Sequence, residues 1–492
     1  MVTHELTFYL AAALLLALTV ESCIKLLNRN SFGIAVAVYV TVFAWYFVDP
    51  FIHPEQYDYL PPFLIDQSYG QVMLFLLGFR FFMPMAVHWI VQRRSTGVFD
   101  TQRFVPEQIL IGAGAIWLLL LVIGIYRLGG DVIGALFPID SRAGVTMWGR
   151  DAVSSSASGF LVASAAYLFN AVTAFLGVLV FFQRSTSWRC IAGAMFAITL
   201  PYFFFEGARS HFLAAILPFI LTYLFYGRHA IVIKFVILAV TFVCLDQGFK
   251  FVTAFRGTGF REVLAAENPY QLMDEDARQS GLNMIQELCF ANAYLESGAA
   301  SPAYGGRYLN ELLNVVPRVI WPSKPLIGID YAKWRGMEDP NNELGVFATV
   351  STGMIGGGVL NFGKILGPVA AGILMAFWTG LLILWWEQRK SLLRLVLFML
   401  GAALTFNLGR DISLLVLWPV IFAYFFVRFA EICPTRRFGQ VPQVATVTPP
   451  WARARLSWLA GSSSAAVLCL RLAARCIDGT KGAPEVEQTR SS

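Results

Sequence analysis

Charge is scarce in this chain. Only 14 % of its 492 residues are Asp, Glu, Lys or Arg, while 57 % are hydrophobic. A soluble domain carries about 25 % charged residues, so this composition excludes a globule solvated on all sides. The seven cysteines (Cys23, Cys190, Cys244, Cys289, Cys433, Cys469, Cys476) are scattered. They show neither a C-x-x-C nor a Cys/His metal spacing, which argues against a disulfide framework and a metal motif. No internal repeat is found. The N-terminal apolar run lacks a basic n-region and a small-residue cleavage pattern, so it reads as a retained anchor, not a cleaved leader. The net charge of +6 comes mainly from short stretches beside apolar runs, and no nucleic-acid partner is expected.

What the chain does have is a series of apolar runs near 20 residues, enough to cross a hydrocarbon core of about 30 Å. A β-barrel would instead show ~10-residue alternating strands. The expectation is therefore an all-α polytopic membrane protein with about eleven spans, at 6–24, 32–49, 70–91, 107–126, 158–182, 190–205, 212–226, 230–248, 365–386, 395–409 and 412–429. Lysine and arginine mark alternate loops: Lys25 and Arg29; Arg93, Arg94 and Arg103; Arg184 and Arg189; Arg228 and Lys234; Arg389, Lys390 and Arg394. Arg436 and Arg437 extend the pattern beyond the last span. By the positive-inside rule the C-terminus is inside, and 50–69, 127–157, 206–211, 249–364 and 410–411 are outside.

Four segments follow: spans one to eight (1–248), a large extracytoplasmic loop (249–364), the last three spans (365–430) and a polar cytoplasmic tail (431–492) expected to be disordered or interfacial. Between Lys250 and Glu343 the loop holds nine basic and twelve acidic residues. It has no bulk positive field, so an anion would have to be bound by particular arginines. Residues 281–297 place Leu282, Ile285, Leu288, Cys289 and Tyr294 near helical spacing, which predicts an amphipathic helix.

Every outside stretch of interest returns to arginine. In Glu206-Gly207-Ala208-Arg209-Ser210-His211 a helix start near Ser210 offers free N–H groups, and Arg209 adds a planar fork of donors for phosphate oxygens. Glu206 can orient that arginine or accept a proton. The same turn also reads as a Glu206–Arg209 ion pair capped by Ser210. In Pro317-Arg318-Val319-Ile320-Trp321-Pro322-Ser323-Lys324-Pro325 three prolines fix an extended path, either a rigid surface connection or a frame for Arg318, Trp321 and Lys324. Tyr304-Gly305-Gly306-Arg307-Tyr308 is a flexible turn carrying a further arginine. Gly409-Arg410-Asp411 is a late outer turn.

These motifs, with Asn361-Phe362-Gly363 leading into a span, resemble the O-antigen polymerase group of oligosaccharide repeat-unit polymerases over roughly 200–412. The Pro-Arg-x-x-Trp-Pro-x-Lys-Pro string carries most of the likeness. The resemblance implies a GT-C-like membrane glycosyltransferase at the periplasmic face of the bacterial cytoplasmic membrane. It would polymerise undecaprenyl-diphosphate-linked oligosaccharide repeat units into O-antigen or exopolysaccharide, without cofactor or metal. Arg209, Arg318 and Arg410 are then expected to stabilise the departing diphosphate. Glu206, then His211, are the candidate bases, and Arg307, Lys324, Trp321, Tyr308 and Asn361 the candidate substrate contacts. Expected partners are the lipid-linked oligosaccharide, membrane lipids, and a chain-length regulator and flippase of the same pathway. One departure stands out: Gly356-Gly357-Gly358-Val359-Leu360 replaces the glutamate and aromatic often found before Asn-Phe-Gly. Ligase-type transfer to another acceptor, a flippase and an export scaffold remain as other readings.

Several other groups read as local structure. Asp274-Glu275-Asp276 has D-x-D spacing but lies in a polar loop, and Asp140-Ser141-Arg142 and Arg150-Asp151 suit local ion pairs. Arg80, inside a span, calls for an inward-facing partner.

Overall fold

In the computed structural model the described residues are 6–28, 30–94, 106–139, 146–148, 157–206, 209–254, 260–268, 283–313, 316, 321, 328–340, 345–346 and 350–432. Of the described residues 81 % are helical, and they form no strand, only an isolated bridge between Glu338 and Val346. One compact unit takes in 1–224 and 229–438. Of the other, 225–228 with 439–492, only the first four residues are described.

Seventeen α-helices are described. The first ten are α1 (Leu6–Leu27), α2 (Val36–Tyr46), α3 (Val48–Ile52), α4 (Pro62–Arg94), α5 (Pro106–Arg127), α6 (Val132–Leu136), α7 (Ala157–Leu179), α8 (Thr186–Phe205), α9 (Arg209–Tyr226) and α10 (Ile231–Ala254). Then come α11 (Phe260–Ala265), α12 (Met284–Glu296), α13 (Gly306–Leu313), α14 (Ile329–Trp334), α15 (Gly353–Glu387), α16 (Leu392–Leu408) and α17 (Leu414–Ile432). Among the described residues five helices are long and apolar enough to cross a membrane: Leu6–Leu27, Pro62–Gln92, Pro106–Arg127, Thr186–Phe205 and Gly353–Glu387. Shorter apolar helices include Ser31–Tyr46, Ser164–Leu179, Ser210–Tyr226 and Leu392–Leu408. An all-helical chain with several membrane-grade helices is thus established.

The centre of the unit is α15 packed on α4. The sequence expects a span from 365, with the preceding residues in the outer loop, yet the helix begins at Gly353. It breaks at Gly363, whose φ of 81° and ψ of −179° only glycine adopts readily. A Cβ on Gly358 would overlap the carbonyl of Gly367. In an unbroken helix those two residues would lie about 13 Å apart along the axis. The two arms of α15 therefore fold back on each other in a V. The first arm, 353–362, is almost wholly buried, as a helix too short to span must be when its ends lie among apolar helices.

The triple glycine that stands in place of a carboxylate motif thus has a packing reason: small residues let two backbones touch. The same device recurs along α4. A Cβ on Gly372 would lie 2.8 Å from the Phe79 amide nitrogen and 2.9 Å from the Phe75 carbonyl oxygen.

Two polar clasps fix the neighbours of this pair. Glu21 of α1 accepts two bonds from the Arg80 guanidinium, at 2.7 and 3.1 Å, and one from Lys25, giving Arg80 its inward partner. Where α12 lies on α4, Gln71 and Asn292 exchange amide hydrogen bonds at 2.8 Å each way. The predicted amphipathic helix is therefore present, and Ile285, Leu288 and Cys289 are buried on it. Its buried face is against the membrane-grade helices themselves.

Candidate functional site

The α8–α9 turn is built around a carboxylate and an imidazole. Glu206 caps α8, and His211 stands in the first turn of α9. Nδ1 of His211 lies 3.2 Å from both carboxylate oxygens of Glu206. A carboxylate there favours the proton on Nδ1 and leaves Nε2 as the basic atom. The backbone of Arg209 opens α9, while its side chain lies outside the described residues. Glu206 thus has a described partner that the sequence reading did not give it. Around the pair, Asn170 of α7 donates to the His211 carbonyl at 2.7 Å, and the Tyr167 ring meets the imidazole edge-on at 5.9 Å.

The α16–α17 turn is tied to this one directly. Asn407, at the end of α16, donates its amide to the Ser210 carbonyl at 3.1 Å. The turn is pinned on its other side too: Met354 N–H donates to the Gly409 carbonyl at 3.2 Å, and Arg410 Nε donates to Ser351 Oγ at 3.0 Å. Gly409 has no room for a side chain, since a Cβ would run into Thr41 and the Trp45 indole. Burial lowers the Arg410 pKa, against the pull of Asp411. Burial also pushes the Asp411 carboxyl up to about 6, although Arg410 and a bond with Ser413 act the other way.

A third element joins through α15. Tyr304, with φ of 47°, and Gly305, with φ of 86°, turn the chain into α13. The buried Asn361 of α15 accepts the Arg307 and Tyr308 N–H groups at 3.2 and 3.4 Å and donates to the Gly357 carbonyl at 2.8 Å. It acts as an N-cap supplied by another helix. The Arg307 guanidinium lies 5.3 Å from the centre of the Trp334 ring. Burial pulls its pKa down, while Asp330 and Tyr331 hold it up. The Tyr308 hydroxyl is buried and, among the described residues, has no hydrogen-bond partner. Burial and the Asp411 charge together raise its phenol well above the usual range.

The structure therefore brings Glu206, His211, Arg410, Arg307, Tyr308 and Asn361 into one connected set of turns around the first arm of α15. Arg318 and Lys324 lie outside the described residues, as do Asp140–Arg142, Arg150–Asp151, Asp274–Asp276 and the tail from 433. Trp321 is described and half-buried. Sequence reasoning missed Asp411 as a site residue in its own right, although it sits next to Arg410 in a quoted motif. It also missed Tyr46, whose hydroxyl accepts the Ile355 N–H at 3.0 Å. With Met354 bound to Gly409, two leading N–H groups of α15 are already used. An anion here would meet side-chain cations and not those two amides. Among the described residues no three His, Cys, Asp or Glu side chains gather as metal ligands.

Comparison with known protein families, with curated proteins and with solved structures finds no match to this chain.

Proposed function

We propose that the chain is a membrane glycosyltransferase that polymerises undecaprenyl-diphosphate-linked oligosaccharide repeat units. In this reading it is GT-C-like, crosses the bacterial cytoplasmic membrane about eleven times, and works at the periplasmic face. The single observation that supports it most is the hydrogen bond from Asn407 to the Ser210 carbonyl. It ties the Glu206–His211 turn to the turn carrying Arg410, which is in turn tied to α15 and so to Arg307 and Tyr308. Spatial gathering of sequence-distant arginine turns is what transfer from a lipid diphosphate calls for.

The chemistry follows from that need. The acceptor hydroxyl oxygen bonds to the donor's anomeric carbon, and the carbon–oxygen bond to the diphosphate breaks with its electron pair. Negative charge grows on the departing diphosphate, and fixed guanidinium groups stabilise it without themselves reorganising. Arg410 is so fixed by Ser351. Arg209, Arg318 and Lys324 are proposed to complete the cation set, Arg307 to hold the diphosphate or a sugar hydroxyl, and Trp321 to stack on a sugar face.

The test is purified full-length protein given a polyprenyl-diphosphate-linked repeat unit, with products followed by gel. A ladder of lengthened glycans still on lipid supports the polymerase. Donor consumed only when a different acceptor is added means a ligase, and tight donor binding without turnover means a flippase. Arg410→Lys keeps the charge but loses the Nε–H and the fork. It should lower the polymerisation rate about 100-fold, the typical loss on removing one preorganised donor, while the melting midpoint stays within error. An unchanged rate removes Arg410 from the site.

A further inference from the structure

We propose that Asp411 takes the proton from the attacking sugar hydroxyl, and that Tyr308 positions that hydroxyl. The inference rests on the polymerase reading and assigns the one step that arginines cannot perform.

Three observations carry it. First, the two carboxylates near the arginine turns differ in what occupies them. Both oxygens of Glu206 face His211 Nδ1, whereas Asp411 forms no ion pair among the described residues, and its side-chain bond is with Ser413. Second, Asp411 is held in place. Its N–H donates to the Asn407 carbonyl at 3.4 Å, and the same turn is fastened to α15 through Gly409 and through Arg410. Third, a second polar group is left over close enough to feel the Asp411 charge. The Tyr308 hydroxyl is buried and unpartnered, though its backbone is fixed by Asn361. Buried polar groups are nearly always hydrogen-bonded, so an orphan hydroxyl held on the same arm of α15 that fastens the Asp411 turn marks a place for a polar ligand.

Among the described residues few groups act on Asp411. Arg410 stands beside it on its own turn and Ser413 bonds it. The charge of Asp411 also acts on Tyr308 of α13 and Tyr46 of α2, but Tyr46 is engaged with Ile355. With a pKa near 6 the carboxyl is ionised at neutral pH and more basic than an ordinary aspartate, which suits a general base. In the step, the hydroxyl proton passes to the Asp411 carboxylate as the oxygen bonds to carbon, and the electron pair of the broken bond leaves on the diphosphate beside Arg410. The proton then returns to solvent.

Linkage supplies a second readout. The folded pKa lies above the ordinary aspartate value of 3.8, so the contribution of Asp411 to stability is full below about pH 4 and is lost as pH rises through about 6. An Asn at this position cannot ionise, and Asp411→Asn should therefore melt higher than wild type at pH 7.

The experiment compares full-length wild type, Asp411→Asn and Glu206→Gln on the lipid-linked repeat unit between about pH 5 and 8. Wild-type rate should climb with pH and level off above about 6. Asp411→Asn should lose at least about 100-fold in rate, the low end for a general base, and melt higher at pH 7. Glu206→Gln should keep the acidic limb. An Asp411→Asn enzyme that retains its rate or its acidic limb overturns the assignment. So does one that melts lower or fails to fold, which would mark Asp411 as structural. If the wild type makes no ladder, the polymerase reading falls and this inference falls with it. If it makes one and the variant does too, only the inference falls.

Discussion

Helices α12 and α13 follow one another in the chain and treat their polar side chains in opposite ways. On α12, Glu287 is only 3 % exposed, yet every need is met: Tyr331 donates to it at 2.6 Å, and Arg335 does so through Nε and Nη2 at 3.1 and 3.2 Å. Asn292 is matched just as fully by Gln71 and Ser68. On α13, Tyr308 buries a hydroxyl with no partner, and Leu309, Leu312 and nearby Tyr304 remain exposed. The same arginine-and-aromatic chemistry therefore serves two ends. Where donors and acceptors close on each other they hold α12 to the bundle; where they do not, room is left for something else. Polar saturation, more than residue type, separates scaffold from candidate site here.

The largest effect should come from breaking the saturated side. Glu287→Ala leaves Arg335 without its carboxylate and Tyr331 with only the backbone carbonyl of residue 287, at 3.2 Å, and should cost about 3–5 kcal/mol, the usual loss when one partner of a buried ion pair is removed. The readout is a fall in melting midpoint and yield, with activity per folded molecule unchanged. If that specific activity collapses instead, α12 belongs to the site and the contrast is false. A smaller loss is expected at the hinge that seats both helices. Gly358→Ala forces the two arms of α15 apart and should destabilise by about 1–3 kcal/mol. It should also lower the proposed polymerisation more than stability alone explains, because Asn361 rides on the displaced arm. A melting curve identical to wild type would mean that the arms do not cross at this residue.

Much of this architecture is visible in the sequence, because apolar runs near 20 residues dictate helices wherever backbone groups must be satisfied internally. Ile285, Leu288 and Cys289 sit at helical spacing and are buried as that spacing implies. The V of α15 was not legible. Gly356-Gly357-Gly358 has the propensity of a loop, and only the crossing against Gly367, visible in three dimensions, shows why a helix carries it. Site residues divide along the same line. Asn361, Tyr308 and Arg410 fall within motifs that sequence alone can quote. Their bonds to each other's elements span 53 residues for Asn361 and Tyr308 and 59 for Arg410 and Ser351, distances over which local pattern says nothing. The assignment of Glu206 was incomplete for a related reason, since its described partner His211 depends on how the turn closes.

One paired measurement tests the contrast most directly: melting midpoint and specific activity on the same preparations of Tyr308→Phe and Tyr331→Phe. Tyr331→Phe removes a buried bond to a carboxylate, worth about 1.5–3 kcal/mol, whereas Tyr308→Phe removes a hydroxyl that bonds to nothing described and should be neutral or stabilising. The prediction is a lower midpoint with intact specific activity for Tyr331→Phe, and an unchanged or higher midpoint with about tenfold lower activity for Tyr308→Phe, the loss of one substrate hydrogen bond. The reverse pattern, stability lost at Tyr308 and activity lost at Tyr331, would contradict the division between scaffold and site.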